Sequence, residues 1–245
     1  MEHRLYELFQ RTAAPFEVEI TPELAERFDR YRVLLQDWNT RMNLTAITDD
    51  EGIIVKHFAD SLSLVPLIKA LGRQNGSLSL ADVGTGAGFP GIPLKLAMPE
   101  LRVCLIDSLA KRLTFLNEVI SQLSLSGIET VHARAEDAGR DKMYRDRFDI
   151  VSARAVASMP VLLEYCMPLV KPGGTFFAMK GSLRETDFDT ALRELSSELE
   201  KEVSFSIAGE DGETAARIIY CVKKCGRTNA KYPRKAGTAS KNPIR

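Results

Sequence analysis

The segment that most constrains this chain is a glycine-rich stretch at residues 82–91, DVGTGAGFPG. It directly follows an apolar run at residues 78–83 that predicts a buried strand, and it precedes residues 92–98, which predict a helix ended by Pro99. Glycines in such a unit let the backbone turn tightly and approach a ligand closely, and the free N–H groups at the helix start favour a negative group. The stretch therefore predicts an α/β fold with a ligand site after its first strand.

Apolar runs and amphipathic segments alternate along the rest of the chain. Helices are predicted at residues 109–123, 159–170 and 183–202, and further strands at 101–106, 128–132, 148–153, 175–179, 203–207 and 216–222. This alternation is typical of βαβ units, which form a mostly parallel sheet with helices on both faces. Upstream, Thr21-Pro22-Glu23 is a good helix start, and apolar residues follow it at helical spacing. We predict a helical extension over residues 1–73 and an α/β domain over residues 74–245.

Composition restricts the class of protein. The 245 residues contain no apolar run long enough to span a membrane, and the N-terminus lacks the apolar core of a signal peptide. Four cysteines are scattered through apolar segments, as expected for reduced thiols in a cytoplasmic protein. Cys221 and Cys225 have no second pair beside them, so no metal site is predicted. We expect a cytoplasmic monomer without a membrane segment.

The glycine-rich turn is compatible with two cofactors. Residues 86–91 fit the dinucleotide pattern GxGxxG, whereas residues 82–88 fit the S-adenosylmethionine pattern DxGxGxG. Asp82 would repel a pyrophosphate but suits the ammonium and sulfonium of adenosylmethionine. Asp107, at the end of the second predicted strand, can accept hydrogen bonds from the ribose of either cofactor. Asp82 therefore favours adenosylmethionine, and a turn that binds no ligand stays open as a third interpretation.

The end of the chain is strongly basic. After Glu213, its last acidic residue, come Arg217, Lys223, Lys224, Arg227, Lys231, Arg234, Lys235, Lys241 and Arg245. On a chain whose formal net charge is zero, this distribution indicates either a local contact with a polyanion or a solvated end.

Several blocks in one order identify a resemblance. The order is NLTAI (43–47), KHFADSL (56–62), DVGTGAGFPGIPLKL (82–96), DSLAKRLTFL (107–116), ARAED (133–137), DIVSARAVA (149–157) and KYPRKAGTASKNPI (231–244). Together they resemble the RsmG (GidB) family of ribosomal RNA methyltransferases, and the turn at residues 171–174, KPGG, is similar to that of class I methyltransferases. The resemblance implies a Rossmann-like methyltransferase fold, S-adenosylmethionine as cofactor, and 16S rRNA or the small ribosomal subunit as partner. The implied reaction is methylation of N7 of guanine 527, in 16S numbering.

The resemblance also implies a set of cofactor-binding residues. Carried over position by position, they are Gly84, Phe89, Asp107, Ser108, Leu109, Ala135, Glu136 and Arg154. Asp107 would accept from the ribose and Leu109 would cover the adenine. Arg154 would pair with the methionine carboxylate or an RNA phosphate, unless it is simply a surface arginine. Ala239 departs from the proline common in the family's tail.

The implied chemistry requires positioning more than proton transfer. N7 of guanine has a free lone pair and no proton to lose, so a direct in-line displacement is expected and none of the three histidines is predicted to act as a base. His57 is predicted to shape the site or contact RNA. N7 faces a groove of A-form RNA that side chains cannot enter, so the target base must be unstacked or flipped out.

The positions of the basic residues suggest candidate contacts with RNA. We predict phosphate contacts from Lys180, Lys231, Arg234 and Lys235, and stacking of a base on Tyr232. Deletion of residues 231–245 is accordingly expected to weaken RNA binding more than cofactor binding. Two other functions stay open: a NAD-dependent oxidoreductase, and a non-catalytic RNA-binding or ribosome-binding module that keeps the methyltransferase fold.

Overall fold

The computed structural model describes residues 1–72, 77–154, 157–209 and 214–245, and the predicted domain boundary at residues 73 and 74 lies outside them. Within these ranges one sheet contains β1 Ser79–Val83, β2 Arg102–Asp107, β3 Ile128–His132, β4 Phe148–Arg154, β5 Val170–Lys180, β6 Ser197–Ala208 and β7 Thr214–Lys224. The strand order is β3-β2-β1-β4-β5-β7-β6. Strands β1 to β5 pair in parallel, and β7 runs antiparallel to both of its neighbours. The prediction of a mostly parallel sheet is confirmed.

Helices cover both faces of this sheet. They are α1 His3–Ala13, α2 Pro22–Asn39, α3 Asp50–Gly52, α4 Asp60–Leu62, α5 Val65–Ala70, α6 Gly91–Ala97, α7 Ala110–Gln122, α8 Ala135–Ala138, α9 Met159–Cys166, α10 Asp189–Glu194 and α11 Thr238–Lys241. Because successive strand residues point to opposite faces, Leu80 belongs to a core shared with α1, α2, α6 and α7. The next residue, Ala81, belongs to a second core built with α9 and α10.

The N-terminal extension is a layer of the first core. The Phe28 ring packs 4.8 Å from that of Phe9 and 4.9 Å from that of Phe58, and all three are fully buried. Thr21 caps α2 by accepting from the Leu24 N–H at 3.2 Å, as its sequence predicts. Tyr31 of α2 donates its hydroxyl hydrogen to the carbonyl of Ala87 in the glycine-rich turn. The extension therefore contacts the glycine-rich turn directly.

The prediction of one helix over residues 183–202 is wrong. The structure has only the short α10 there, followed by the twelve-residue strand β6. This strand lies at the edge of the sheet and pairs only with β7, so its many charged side chains remain in solvent. Alternating Val203, Phe205 and Ile207 pack against the first core, and this tertiary contact overrides the helix propensity of the Glu- and Lys-rich segment.

Three further properties concern the described part of the chain. None of its helices combines the length and apolarity needed to cross a membrane. Cys104, Cys166 and Cys221 are buried and Cys225 is exposed, and all four are unpaired thiols. No group of three or more potential metal ligands occurs among these residues.

Candidate functional site

The glycine-rich turn is held by the carboxylate that precedes it. One oxygen of the buried Asp82 accepts from the Thr85 hydroxyl at 2.6 Å and the Gly91 N–H at 3.0 Å, and the other accepts from the Ser152 hydroxyl at 3.0 Å. Burial raises the pKa of Asp82 to about 6, although these hydrogen bonds oppose the shift. The sequence argument placed this charge beside the cofactor. The structure instead turns it inward, where it fixes the backbone of the turn.

A cavity of about 480 Å³ opens at the carboxyl ends of β1, β2 and β3. Ligands of open α/β sheets bind at this edge because the strand-to-helix loops meet there. Five of the predicted cofactor residues line the cavity: Gly84, Asp107, Ser108, Ala135 and Glu136. Gly84 has a φ of +68°, and a Cβ atom added there would meet nothing within 4 Å. Glycine therefore allows the backbone turn and leaves the space beside it open for a ligand.

Asp107 is oriented by three donors. Its Oδ1 accepts from the Leu109 N–H at 2.9 Å, and its Oδ2 accepts from the Gly86 N–H at 2.9 Å and from Arg112 at 3.3 Å. An ionised carboxylate has about four acceptor sites, so about one remains for a hydroxyl group in the cavity. The position and the remaining acceptor site both suit the predicted contact with a ribose.

The C-terminal segment supplies a wall that sequence reasoning missed. Gly237 and Ser240 line the cavity, together with Arg112 and Tyr165 from the body of the domain. The Gly237 N–H donates to Glu136 at 2.9 Å, and the hydroxyls of Tyr165 and Ser240 are hydrogen-bonded at 2.8 Å. From the sequence, the block at residues 231–244 was interpreted as a family motif and as a contact with RNA. Its glycine and serine could have indicated a cofactor contact.

A salt bridge anchors this segment to helix α9. Arg234 donates through Nε to both carboxylate oxygens of Glu164, at 2.9 and 3.0 Å, and its backbone N–H donates to the same carboxylate at 2.7 Å. Glu164 lies on α9 and is buried, so the contact fastens the segment to the second core. Tyr232 and Ile244 also pack into that core.

A second polar cluster lies where the N-terminal layer meets the sheet. The buried carboxylate of Asp60 accepts from Arg154 at the end of β4, at 3.1 Å, and from Arg217 of β7, at 2.9 Å. The backbone carbonyl of Lys56 also accepts from Arg154, at 3.2 Å. Lys56 belongs to the π-helical segment Ile53–Ala59 between α3 and α4, a rare geometry that is frequent at functional sites.

His57 is neutral in this cluster. Its Nδ1 lies 3.1 Å from Nη2 of Arg154 and 3.2 Å from the carbonyl oxygen of Lys56. The other ring nitrogen, Nε2, contacts the Thr45 hydroxyl at 2.8 Å. Burial, followed by the positive charge of Arg154, lowers the pKa of His57 to about 3. The ring therefore packs as a neutral aromatic group, stacked 4.4 Å from that of Phe89.

Three predicted cofactor residues are not part of the cavity wall. Phe89 is buried between His57 and Tyr31, with the Arg154 guanidinium 4.9 Å from its ring. Arg154 itself lies in the Asp60 cluster. Leu109 is 51% exposed and lines an adjoining groove. Roles of these residues in cofactor binding stay predictions, as do those of the five that line the cavity.

The predicted RNA contacts differ in their surroundings. Lys180 is largely buried, bridged to Glu185 at 2.6 Å and hydrogen-bonded to the carbonyl of Ala157. Lys231 is exposed and bridged to Glu194 at 2.7 Å, while Lys235 is exposed. Their binding of RNA stays a prediction, as does that of Arg234, whose charge is compensated by Glu164.

Stacking of a base on Tyr232 is not compatible with the structure. Its side chain is buried in the second core, and its hydroxyl donates to Glu194 at 3.0 Å. An aromatic ring must present an open face to stack on a base. The tyrosine instead helps to hold the C-terminal segment in place.

Comparison with known proteins decides the family. The profile of the family described as "GidB: rRNA small subunit methyltransferase G" matches residues 24–215, more than half of the chain. The chain belongs to this family. A ribosomal RNA small subunit methyltransferase G of Acetivibrio thermocellus is 50% identical to this member over 99% of the chain and 98% of its own length. One from Desulfitobacterium hafniense is 49% identical over 93% of the chain and 92% of its own length. The resemblance stated from the sequence blocks is confirmed.

Solved structures agree with the fold of this family member. A methyltransferase candidate from Bacillus halodurans aligns with a TM-score of 0.50 at 17% identity, over 66% of this chain and 99% of its own. An RNA methyltransferase candidate from Pyrococcus horikoshii aligns with a TM-score of 0.50 at 15% identity, over 68% and 83% of the two chains. At such identities the likeness concerns the fold alone, and it confirms the predicted Rossmann-like methyltransferase class.

Proposed function

We propose that this protein transfers a methyl group from S-adenosylmethionine to N7 of the guanine that corresponds to guanine 527 of bacterial 16S rRNA. Membership in the rRNA small subunit methyltransferase G family supports the class of reaction and the ribosomal substrate. The observation that carries the proposal is the cavity beside Gly84 and Asp107, at the sheet edge where this fold binds its ligands. The site of action is then the cytoplasm, where ribosomal subunits are assembled.

The residues of the cavity fit adenosylmethionine. Gly84 leaves open the space that any side chain would fill, and Asp107 keeps an acceptor site for a ribose hydroxyl. Ala135 and Glu136 border the position expected for the adenine, and the segment at Gly237 closes the same side. The cofactor would supply an electrophilic methyl group that its sulfonium already activates.

Positioning is the main contribution of the protein to this reaction. Guanine N7 attacks with an existing lone pair, so no proton has to be removed before the methyl group is transferred. This agrees with a site whose buried histidine, His57, is neutral and hydrogen-bonded through both of its ring nitrogens. Arg154, fixed by Asp60, offers a positive charge toward a carboxylate or a phosphate at the end of β4.

Two other functions make different predictions. An oxidoreductase would bind NADH in the cavity and would not bind adenosylmethionine. A non-catalytic ribosome-binding module would bind adenosylmethionine or small subunits without methyl transfer. The lined cavity and the family favour the methyltransferase over both.

The deciding experiment uses purified protein, methyl-labelled adenosylmethionine and small ribosomal subunits from a strain that lacks this modification. We expect label on one guanine of the 16S rRNA, located by primer extension or mass spectrometry at the position corresponding to 527. Subunits that already carry the modification are the matched control and should accept no label. Label at another base would refute the proposed target, and absence of label would refute the proposed activity.

A further inference from the structure

A groove of about 470 Å³ adjoins the cofactor cavity. It lies between the loop after α2, at residues 41–44, and the start of α7, at residues 108–112. Ser108 and Arg112 line both the groove and the cavity, so the two spaces meet at the end of β2. We name it the 41–112 groove.

The charge of the 41–112 groove has one sign. Arg41, Lys111 and Arg112 line it, and its described lining includes no carboxylate. Arg41 is 63% exposed and pairs with the exposed Asp37, a contact of small net energy that another anion can replace. Lys111 is exposed at the first turn of α7. Two cations therefore face the groove from opposite sides.

The floor of the groove is apolar. Met42, Leu44 and Leu109 line it beside the cations, and Leu109 keeps about half of its surface exposed. An exposed leucine in the same lining as these cations offers an apolar contact for a base whose attached phosphates are negative. The amide of Asn43 adds hydrogen-bonding capacity at the same place.

We propose that the 41–112 groove binds the single-stranded RNA next to the target nucleotide, with phosphates on Arg41 and Lys111 and a base against Leu109. The inference rests on the proposed function, because the methyl donor in the cavity must meet a target nucleotide that is still joined to its RNA strand. An RNA strand satisfies all three observations: phosphates match the cations, a base matches the apolar floor, and continuity with the cavity allows the neighbouring nucleotide to enter it. The groove thus holds the strand while the unstacked guanine reacts.

The test compares Arg41→Gln/Lys111→Gln with the control Lys142→Gln/Lys201→Gln, which removes two exposed lysines outside the groove. Arg41 and Lys111 are chosen because neither lines the cofactor cavity. Equilibrium binding of an RNA hairpin with one unpaired loop guanine is measured by fluorescence anisotropy at several salt concentrations. Adenosylhomocysteine affinity and the thermal midpoint of both double variants check that the cavity and the fold are intact.

We expect the groove variant to bind the hairpin about tenfold or more weakly, with the slope of log K against log salt reduced by about 1.4, or about 0.7 for each lost phosphate contact. The control should keep the affinity and slope of the wild-type protein. Equal affinities for the two double variants, or no hairpin binding by the wild-type protein, would overturn the inference. Groove-dependent RNA binding without any methyl transfer to ribosomal subunits would instead refute the proposed function.

Discussion

The carboxylate of Asp60, in the N-terminal layer, holds the guanidinium of Arg154 at the end of β4 at 3.1 Å. Both side chains are largely buried, and Asp60 also accepts from Arg217. We predict that Asp60→Asn lowers the free energy of unfolding by about 3 kcal/mol, because it leaves two guanidinium groups without their buried counter-charge. Asp50→Asn is the control, since Asp50 pairs with Arg32 near the surface. This substitution should lower the free energy of unfolding by at most about 1 kcal/mol. Urea unfolding measures both, and equal losses would contradict the importance of the buried pair.

The open space at Gly84 predicts a specific loss of cofactor binding. Gly84→Ala should weaken adenosylhomocysteine binding at least tenfold, because its methyl group occupies the cavity. Gly173→Ala is a matched control: its φ is +82° and a Cβ atom there also meets nothing within 4 Å, but it lies in the turn of β5 outside the cavity wall. Both variants should lose about 1–2 kcal/mol of stability through left-handed backbone strain. Calorimetric titration with adenosylhomocysteine distinguishes the two variants. Similar affinities of both variants for this ligand would refute the assignment of the cavity as the cofactor site.

Burial of the neutral His57 predicts a dependence of stability on pH. The folded protein holds its pKa at about 3, against 6.5 for an unperturbed histidine, so only the unfolded chain takes up this proton between these values. The contribution of His57 to the free energy of unfolding is therefore fully present above pH 6.5. It decreases as the pH falls toward 3, by up to about 1.4 kcal/mol per pH unit. Asp82 acts in the opposite direction between pH 6 and 3.8, because its pKa is raised in the folded state.

His57→Gln isolates the histidine from Asp82. The variant should lose less stability than the wild-type protein when both are taken from pH 7 to pH 4.5, as measured by chemical denaturation. His3→Gln, at a side chain that is 86% exposed, should follow the wild-type curve. Parallel curves for all three proteins would show that His57 does not remain neutral in the folded state.

The anchor at Glu164 predicts a link between the C-terminal segment and the cofactor. Glu164→Gln removes the charge that holds Arg234, so Gly237 and Ser240 should lose their fixed position in the cavity wall. We expect adenosylhomocysteine affinity to fall about three- to tenfold, with a loss of stability of about 1–3 kcal/mol. Glu194→Gln removes the exposed charge that pairs with Lys231 but keeps an acceptor for the Tyr232 hydroxyl, so it should leave cofactor affinity unchanged. A larger effect at Glu194 than at Glu164 would contradict this arrangement.

The same anchor changes the expectation for a truncated protein. Deletion of residues 231–245 was predicted from charge to affect RNA binding more than cofactor binding. Because Tyr232 and Ile244 belong to the second core and Gly237 lines the cavity, we now expect this deletion to reduce stability and cofactor affinity. Circular dichroism and calorimetry on the truncated protein would detect both losses, and unchanged cofactor affinity would count against the wall formed by this segment.

The parts of the fold that follow local patterns could be predicted. Strands β1, β2 and β4 are buried between two layers, so they are nearly continuous apolar runs in the sequence. Asp107 was placed correctly at the end of β2 because a parallel strand delivers its last residue to the ligand-binding edge. Strand β6 was missed because its glutamates and lysines resemble a solvated helix, and only its pairing with β7 makes it a strand.

The contacts that complete the site could not be derived from spacing. Asp60 and Arg154 are 94 residues apart, and neither the charge nor the periodicity of one segment indicates the other. Glu136 and Gly237 are 101 residues apart and meet only because the C-terminal segment crosses the second face of the sheet. Sequence blocks identified the segments that meet at the cavity, whereas packing decides which of their side chains line it.

The internal pairing of the C-terminal segment also alters what a salt titration would measure. Arg234 already has a buried counter-charge in Glu164, so contact with a phosphate would first have to break this ion pair. While the pair persists, Arg234 neutralises no phosphate and releases none of the cations that are condensed on the RNA. The number of ions displaced on binding should therefore be smaller than the count of basic residues after position 230 suggests, which leaves Lys231, Lys235, Lys241 and Arg245 as the contributors from this stretch.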